Sequence, residues 1–170
     1  MHKAAFIFTH VVERPARRLI LRRGKEADNY FDYAAEVGCG QSNNSTVWDV
    51  LLRIPEAVGE PVGLWLPENM RSAGTGIYAH GVEVPADYRG TLPEGYDIID
   101  LAPGHLMVFQ GEPYDDADFA EAVGACMAGI DTFDPRLYGW RYAPDLAPRM
   151  QLEPRGTRGY IEMRPVTRIE

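Results

Sequence analysis

The chain is poor in the residues that build metal or disulfide sites. Among its 170 residues are two cysteines, Cys39 and Cys126, far apart and without a C-x-x-C pair, which excludes a disulfide scaffold. The four histidines (His2, His10, His80 and His105) are scattered at no metal-ligand spacing, so no metal and no cofactor is expected. Long apolar runs are missing too: no window approaches the ~18 residues of a membrane span. The run Ala4–Phe8 is broken by Thr9 and His10 and is too short for a secretory signal core. These absences predict a cytoplasmic protein with no membrane partner. Positive charge is scarce, with 17 Lys and Arg against 25 Asp and Glu and a net charge of −8. Nucleic-acid binding needs clustered positive potential, so direct binding is not expected. Walker loops, G-x-S-x-G elbows and dinucleotide fingerprints are missing as well.

What is present is a globular composition, 45% hydrophobic, at the length of one ordinary domain. The most basic stretch, Arg14 to Lys25, flanks the apolar centre Leu19-Ile20-Leu21 and reads as a solvated strand edge or as a docking surface. A weak internal duplication organises the rest. Gly24 and Gly111, Pro61 and Pro148, and Pro67 and Pro154 are each 87 residues apart, and such residues fix backbone positions. Strands are predicted over 17–23, 62–66, 76–84, 97–101, 105–111, 150–153 and 159–163. Phe119, Ala122, Val123, Cys126, Met127 and Ile130 fall on one helical face, with Asp115 and Asp116 at its start and Pro135 beyond its end. The first copy's helix is broken. One piece carries Tyr30, Tyr33, Ala34 and Val37; after the polar run Gly40–Ser45 a second carries Val47, Val50, Leu51 and Ile54. Thr46 and Asp49 are placed as a capping pair for it, and Pro55 ends or kinks it. The predicted class is α+β: one domain of two β-α-β-β repeats, about 11–95 and 96–170. Its antiparallel sheet carries two helices on one face and a ligand cleft between them.

Aromatics are the informative set: three Trp, nine Tyr and six Phe. Core packing accounts for any one of them, but as a group they suit a lined pocket. Tyr33, Trp48, Trp65, Phe109, Trp140 and Tyr160 are the candidate ligand contacts. Tyr160 and Glu162 alternate on the last strand and share one face. If that face points inward, Glu162 is a carboxylate among aromatics, suited to attract a cation or to act as a general base. If it points outward, Glu162 pairs with Arg158 or Arg164. The sequence leaves both open.

The stretch Ala102-Pro103-Gly104-His105-Leu106-Met107-Val108-Phe109-Gln110-Gly111-Glu112-Pro113 resembles the start of the second repeat of GyrI-like domains. The ending Gly159-Tyr160-Ile161-Glu162-Met163-Arg164-Pro165-Val166 resembles their closing strand. Glu13 to Ala16, Tyr30 to Tyr33, Val37 to Cys39, Gly63 to Pro67 and Gly81 to Pro85 resemble the effector-binding domain of one group of AraC-type transcription regulators. The resemblance runs from about residue 11 to the end. It implies an SHS2 arrangement around a cleft that binds hydrophobic compounds, including cationic ones, as in multidrug-binding regulators. It places a carboxylate at Glu162 and cleft aromatics at Trp48 and Trp65. No helix-turn-helix precedes the module, and the insert Gly40–Ser45 and Pro55 depart from the family pattern. The leading expectation is a sensor or sequestering module for a small molecule, monomeric or homodimeric. The alternatives are a hydrolase of cyclopropane-containing genotoxic compounds using Glu162, and a protein-interaction module.

Overall fold

The structure, a computed structural model, describes residues 6–38 and 46–170. Among these residues nine strands form one antiparallel sheet: β1 (Ile7–Arg14), β2 (Arg17–Arg23), β3 (Val62–Trp65), β4 (Tyr78–Pro85), β5 (Asp97–Leu101), β6 (Gly104–Gly111), β7 (Trp140–Tyr142), β8 (Arg149–Leu152) and β9 (Ile161–Arg168). Among the described residues three α-helices, α1 (Tyr30–Val37), α2 (Val47–Leu52) and α3 (Phe119–Asp131), and three short 3₁₀ turns accompany the sheet. The strand order is β1-β6-β9-β8-β3-β4-β2-β5, with β7 added beside β9. Read inward from the two edges, the order runs β1-β6-β9-β8 and β5-β2-β4-β3, meeting between β8 and β3. The predicted α+β class, an antiparallel sheet with helices packed on it, is found. Two strands, β1 and β7, were not anticipated. β1 pairs along its whole length with β6 of the other half, and β5 pairs in the same way with β2.

The glycine pair of the duplication has a structural counterpart. Gly24 donates its N–H to the carbonyl of Tyr78, and Gly111 donates to that of Tyr160, at 3.0 and 2.8 Å. Tyr78 and Tyr160 are therefore equivalent. The proline pairs are one residue out of step. Pro61 and Pro148 directly precede β3 and β8, but an 87-residue offset would place Gly63 on Met150. Those residues point to opposite faces, because Gly63 lies opposite Gln151 while Met150 lies opposite Leu64.

Both helical layers lie on one face. Ile20, Val82 and Val84 pack there with Val47 and Leu51 of α2, and Met107 and Phe109 pack with Cys126 and Ile130 of α3. The opposite face buries Leu19, Leu21, Leu64, Ala79 and Met150 beneath Leu66 and Met70, which follow β3. At about 25 cal/mol per Å² of apolar surface, these two cores supply the main driving force for the fold. The local signals near the helices act as predicted. Gly38 ends α1 in the left-handed region (φ 73°), where a side chain would be strained, and Thr46 and Asp49 form a reciprocal capping box on α2. Asp115 and Asp116 belong to a 3₁₀ turn that leads into α3, whose N-cap is Asp118. The polar run 40–45 and Cys39 lie outside the described residues.

The basic stretch is not a strand edge. β5 covers β2, and its acids meet the arginines across the ladder: Arg18 Nε to Asp100 at 2.9 Å and Arg23 Nε to Asp97 at 3.1 Å. Arg14 is buried, donating to the Ala102 carbonyl at 3.2 Å. No helix among the described residues is long and apolar enough to cross a membrane.

Candidate ligand-binding site

Cross-strand register fixes which side chains form the helix-facing floor of the four central strands. One row runs His80, Gly63, Gln151, Glu162 across β4, β3, β8 and β9; beside it Tyr78, Trp65 and Arg149 run across β4, β3 and β8. Arg164, two residues beyond Glu162, extends the second row on β9. Residues directly opposite in an antiparallel pair lie close enough to touch, so these two rows behave as one surface.

Glu162 points inward and is fully buried. Unlike the carboxylate the sequence left free to face a cation, it is saturated. Tyr160 Oη donates to Oε1 at 2.8 Å, Arg164 Nε donates to Oε2 at 2.5 Å, and Arg149 Nη2 lies 3.2 Å from Oε1. Both sequence alternatives are thus half realised: an inward face and a partner in Arg164. Arg158 instead pairs with Glu60 at 2.6 Å. Arg164 is further held by Asp131 of α3 at 2.8 Å. Burial would lower the Arg164 guanidinium, but Glu162 and Asp131 outweigh it and hold it above its ordinary range. Burial, reinforced by Glu162, pushes the Tyr160 hydroxyl upward.

On the other half, the place of Glu162 is taken by His80, which is 2% exposed. It sits in a ring of aromatics. Tyr33, Trp48, Tyr78 and Tyr30 have ring centroids 4.4, 5.2, 5.5 and 5.8 Å from the imidazole. Tyr78 Oη meets its Nε2 at 3.3 Å, while Nδ1 is buried without a hydrogen-bond partner. Desolvation lowers its pKa to about 4, so the ring is neutral at physiological pH. Sequence reasoning left His80 as one of four scattered histidines. Its alternation with Tyr78, matching that of Glu162 with Tyr160, was the available signal.

The predicted aromatics divide into groups. Tyr33 and Trp48 join the His80 cluster. Trp65 lies between the halves: its edge meets Tyr78 at 5.1 Å, its indole N–H donates to the Asp28 carbonyl at 2.8 Å, and Arg149 covers its face at 4.3 Å. Phe109 stands opposite Glu162 but is fully buried against Phe133, so it backs the carboxylate rather than lining a cavity. Trp140 is not brought to the others. It packs between His105 and Arg168 at the far end of β9.

Two concavities adjoin these residues. One, of about 480 Å³, is walled by Trp65, Tyr142, Arg149 and Arg164, with Glu68, Arg71 and Asp145 at its exposed rim. Its size suits a drug-sized ligand. The other, about 1110 Å³ and open, lies along the start of α3, where Glu112, Asp115, Asp116, Asp118 and Glu121 flank Tyr114 and Tyr160. Among the described residues no cluster of three or more His, Cys, Asp or Glu could hold a metal ion.

No protein-family model matches the chain, and no curated protein sequence does. Solved structures do resemble it in fold. SAV2435 bound to tetraphenylphosphonium superposes with a TM-score of 0.55 at 17% identity, over 94% of each chain. A putative transcription regulation protein from Staphylococcus aureus MU50 superposes with a TM-score of 0.51 at 15% identity, over 94% of this chain and 98% of that one. At these identities the likeness establishes a shared fold.

Proposed function

We propose that the chain is a single GyrI-like binding domain of two pseudo-repeats, 11–95 and 96–170, that holds a hydrophobic aromatic small molecule on its helix-bearing face. It would act as a sensor or sequestering module. The observation that carries this reading is the cavity of about 480 Å³ between Trp65, Tyr142, Arg149 and Arg164. Mostly apolar walls with a few placed charged groups are what small-molecule sites require. The fold supports it, since SAV2435 was solved bound to tetraphenylphosphonium and the second neighbour is described as a transcription regulation protein.

A hydrolase reading in which Glu162 activates water has less support. Oε1 already accepts from Tyr160 and Oε2 from Arg164, so a water would compete with bound donors for the base.

The reading is tested by a thermal-shift screen of aromatic anions, cations and neutral compounds. A binder present at about 100 times its Kd adds ~2.7 kcal/mol of apparent stability. Raised melting temperatures that Trp65→Leu abolishes are expected. A screen in which no compound stabilises the parent, or in which Trp65→Leu changes nothing, refutes the assignment.

A further inference from the structure

The charge inside the Trp65 cavity is set by three groups: Arg149, Arg164 and Glu162. Their sum is one positive charge, since Glu162 is shared by both guanidinium groups; Asp131, which pairs with Arg164 from α3, is exposed and offsets it through solvent-screened contact. The rim adds Arg71, Glu68 and Asp145, all exposed, where water and salt screen them. Arg149 is the incompletely satisfied member. Its guanidinium carbon stands 4.3 Å over the Trp65 ring and Nη2 meets Glu162, while Nε is buried with no hydrogen-bond partner. A buried cationic donor without an acceptor is costly, and an acceptor delivered by a ligand removes that cost. Arg164, by contrast, has acceptors on both Glu162 and Asp131.

We infer that this cavity selects an aromatic anion, a carboxylate or sulfonate, over an aromatic cation. Arg149 receives the anionic group, and the Trp65 and Tyr142 rings bound the space for the aromatic body. A cation entering the same space meets two guanidinium groups and a carboxylate that they already neutralise. The inference rests on the reading of this cavity as the ligand site and adds the charge of its occupant. Glu162 becomes a positioning residue that orients both arginines, rather than the group that attracts the ligand.

The experiment follows the indole N–H signals of the ¹⁵N-labelled protein, with Trp65 assigned from a Trp65→Phe variant, during titration with 2-naphthoate, 2-naphthol and tetraphenylphosphonium. The expected result is that 2-naphthoate moves the Trp65 signal with an affinity about tenfold or more above that of 2-naphthol. Arg149→Gln removes that advantage while leaving 2-naphthol unchanged. Arg149→Lys, which keeps the charge but not the fork, retains part of it. Tetraphenylphosphonium leaves the Trp65 signal in place even if it binds elsewhere, as in the acidic groove. A Trp65 signal that responds to tetraphenylphosphonium as readily as to 2-naphthoate overturns the charge preference and leaves the binding reading standing. So does an Arg149→Gln variant, folded by its spectrum, that binds 2-naphthoate as well as the parent. If none of the three probes moves Trp65 at about 1 mM, both readings fall.

Discussion

His80 and Glu162 occupy equivalent places in the two halves, each meeting the hydroxyl of the tyrosine two residues before it. One position holds a neutral base and the other a charged acid. The fold thus keeps the tyrosine in both repeats and varies only its partner, and the four residues divide the sheet floor into an uncharged half and an ionic half.

The uncharged half should titrate visibly. An unfolded histidine has a pKa near 6.5, whereas desolvation holds His80 at about 4. Between these values the unfolded chain binds the extra proton, so stability falls as pH drops from about 6.5 to about 4 and this component is constant above. The gap amounts to roughly 3 kcal/mol at the acid end. Urea midpoints of the parent and of His80→Gln should therefore converge between pH 7 and pH 4.5. A difference that stays constant over that range would show that folding does not disfavour the protonated ring.

The ionic half should show strong coupling. Glu162→Gln removes the buried carboxylate that Arg149 and Arg164 share, leaving Arg164 only the exposed Asp131, and removing one partner of a buried pair costs about 3 kcal/mol. Adding Arg164→Gln should cost less than the same change made alone, because the charge it removes has already lost its buried partner. Strict additivity in urea denaturation would mean the ion pair contributes nothing to the fold.

Gly63 is where the floor tolerates no side chain. A Cβ there would lie 2.6 Å from Tyr78 Oη, and the Tyr78 ring is itself held by Tyr33, Trp65 and His80. Gly63→Ala should cost about 1–3 kcal/mol by overpacking. Gly63→Ala combined with Tyr78→Phe should regain most of it, because the offending oxygen is gone. Thermal denaturation of the three variants decides this, and no recovery would place the strain elsewhere.

The capping box governs α2, which carries Trp48. Thr46 Oγ1 accepts from the Asp49 N–H at 3.1 Å, and Asp49 accepts from the Thr46 N–H at 3.1 Å. Thr46→Ala should lower stability by about 1 kcal/mol. Thr46→Ser should be nearly neutral. Equal losses in both variants would point to packing of the threonine methyl instead of the cap.

Much of the architecture was readable because it is local. The 3.6-residue spacing from Phe119 to Ile130, the Thr46–Asp49 cap and Gly38 each specify their own neighbourhood. β1 escaped because Ile7–Arg14 shows no clean alternation: it is an edge strand whose partner, β6, lies about a hundred residues away in sequence. The proline spacing misled by one residue because proline marks where a strand begins without fixing which face its residues take. Glu162 was legible as a floor residue from its alternation with Tyr160. Its saturation was not, because Arg149 arrives from a different strand. The separation of Trp140 from the other aromatics was hidden for a related reason: it lies on β7, opposite Arg168, where no sequence distance shows how far it stands from Glu162.

The exchange of outer strands changes what the duplication means for the chain's integrity. β1 leads into the first half yet completes the sheet of the second, and β5 opens the second half yet completes the sheet of the first. Neither half owns all of its backbone partners. Severing the chain between β4 and β5 would therefore yield two fragments that must clasp to be whole, not two autonomous units, and any change in one half is felt at the other's margin.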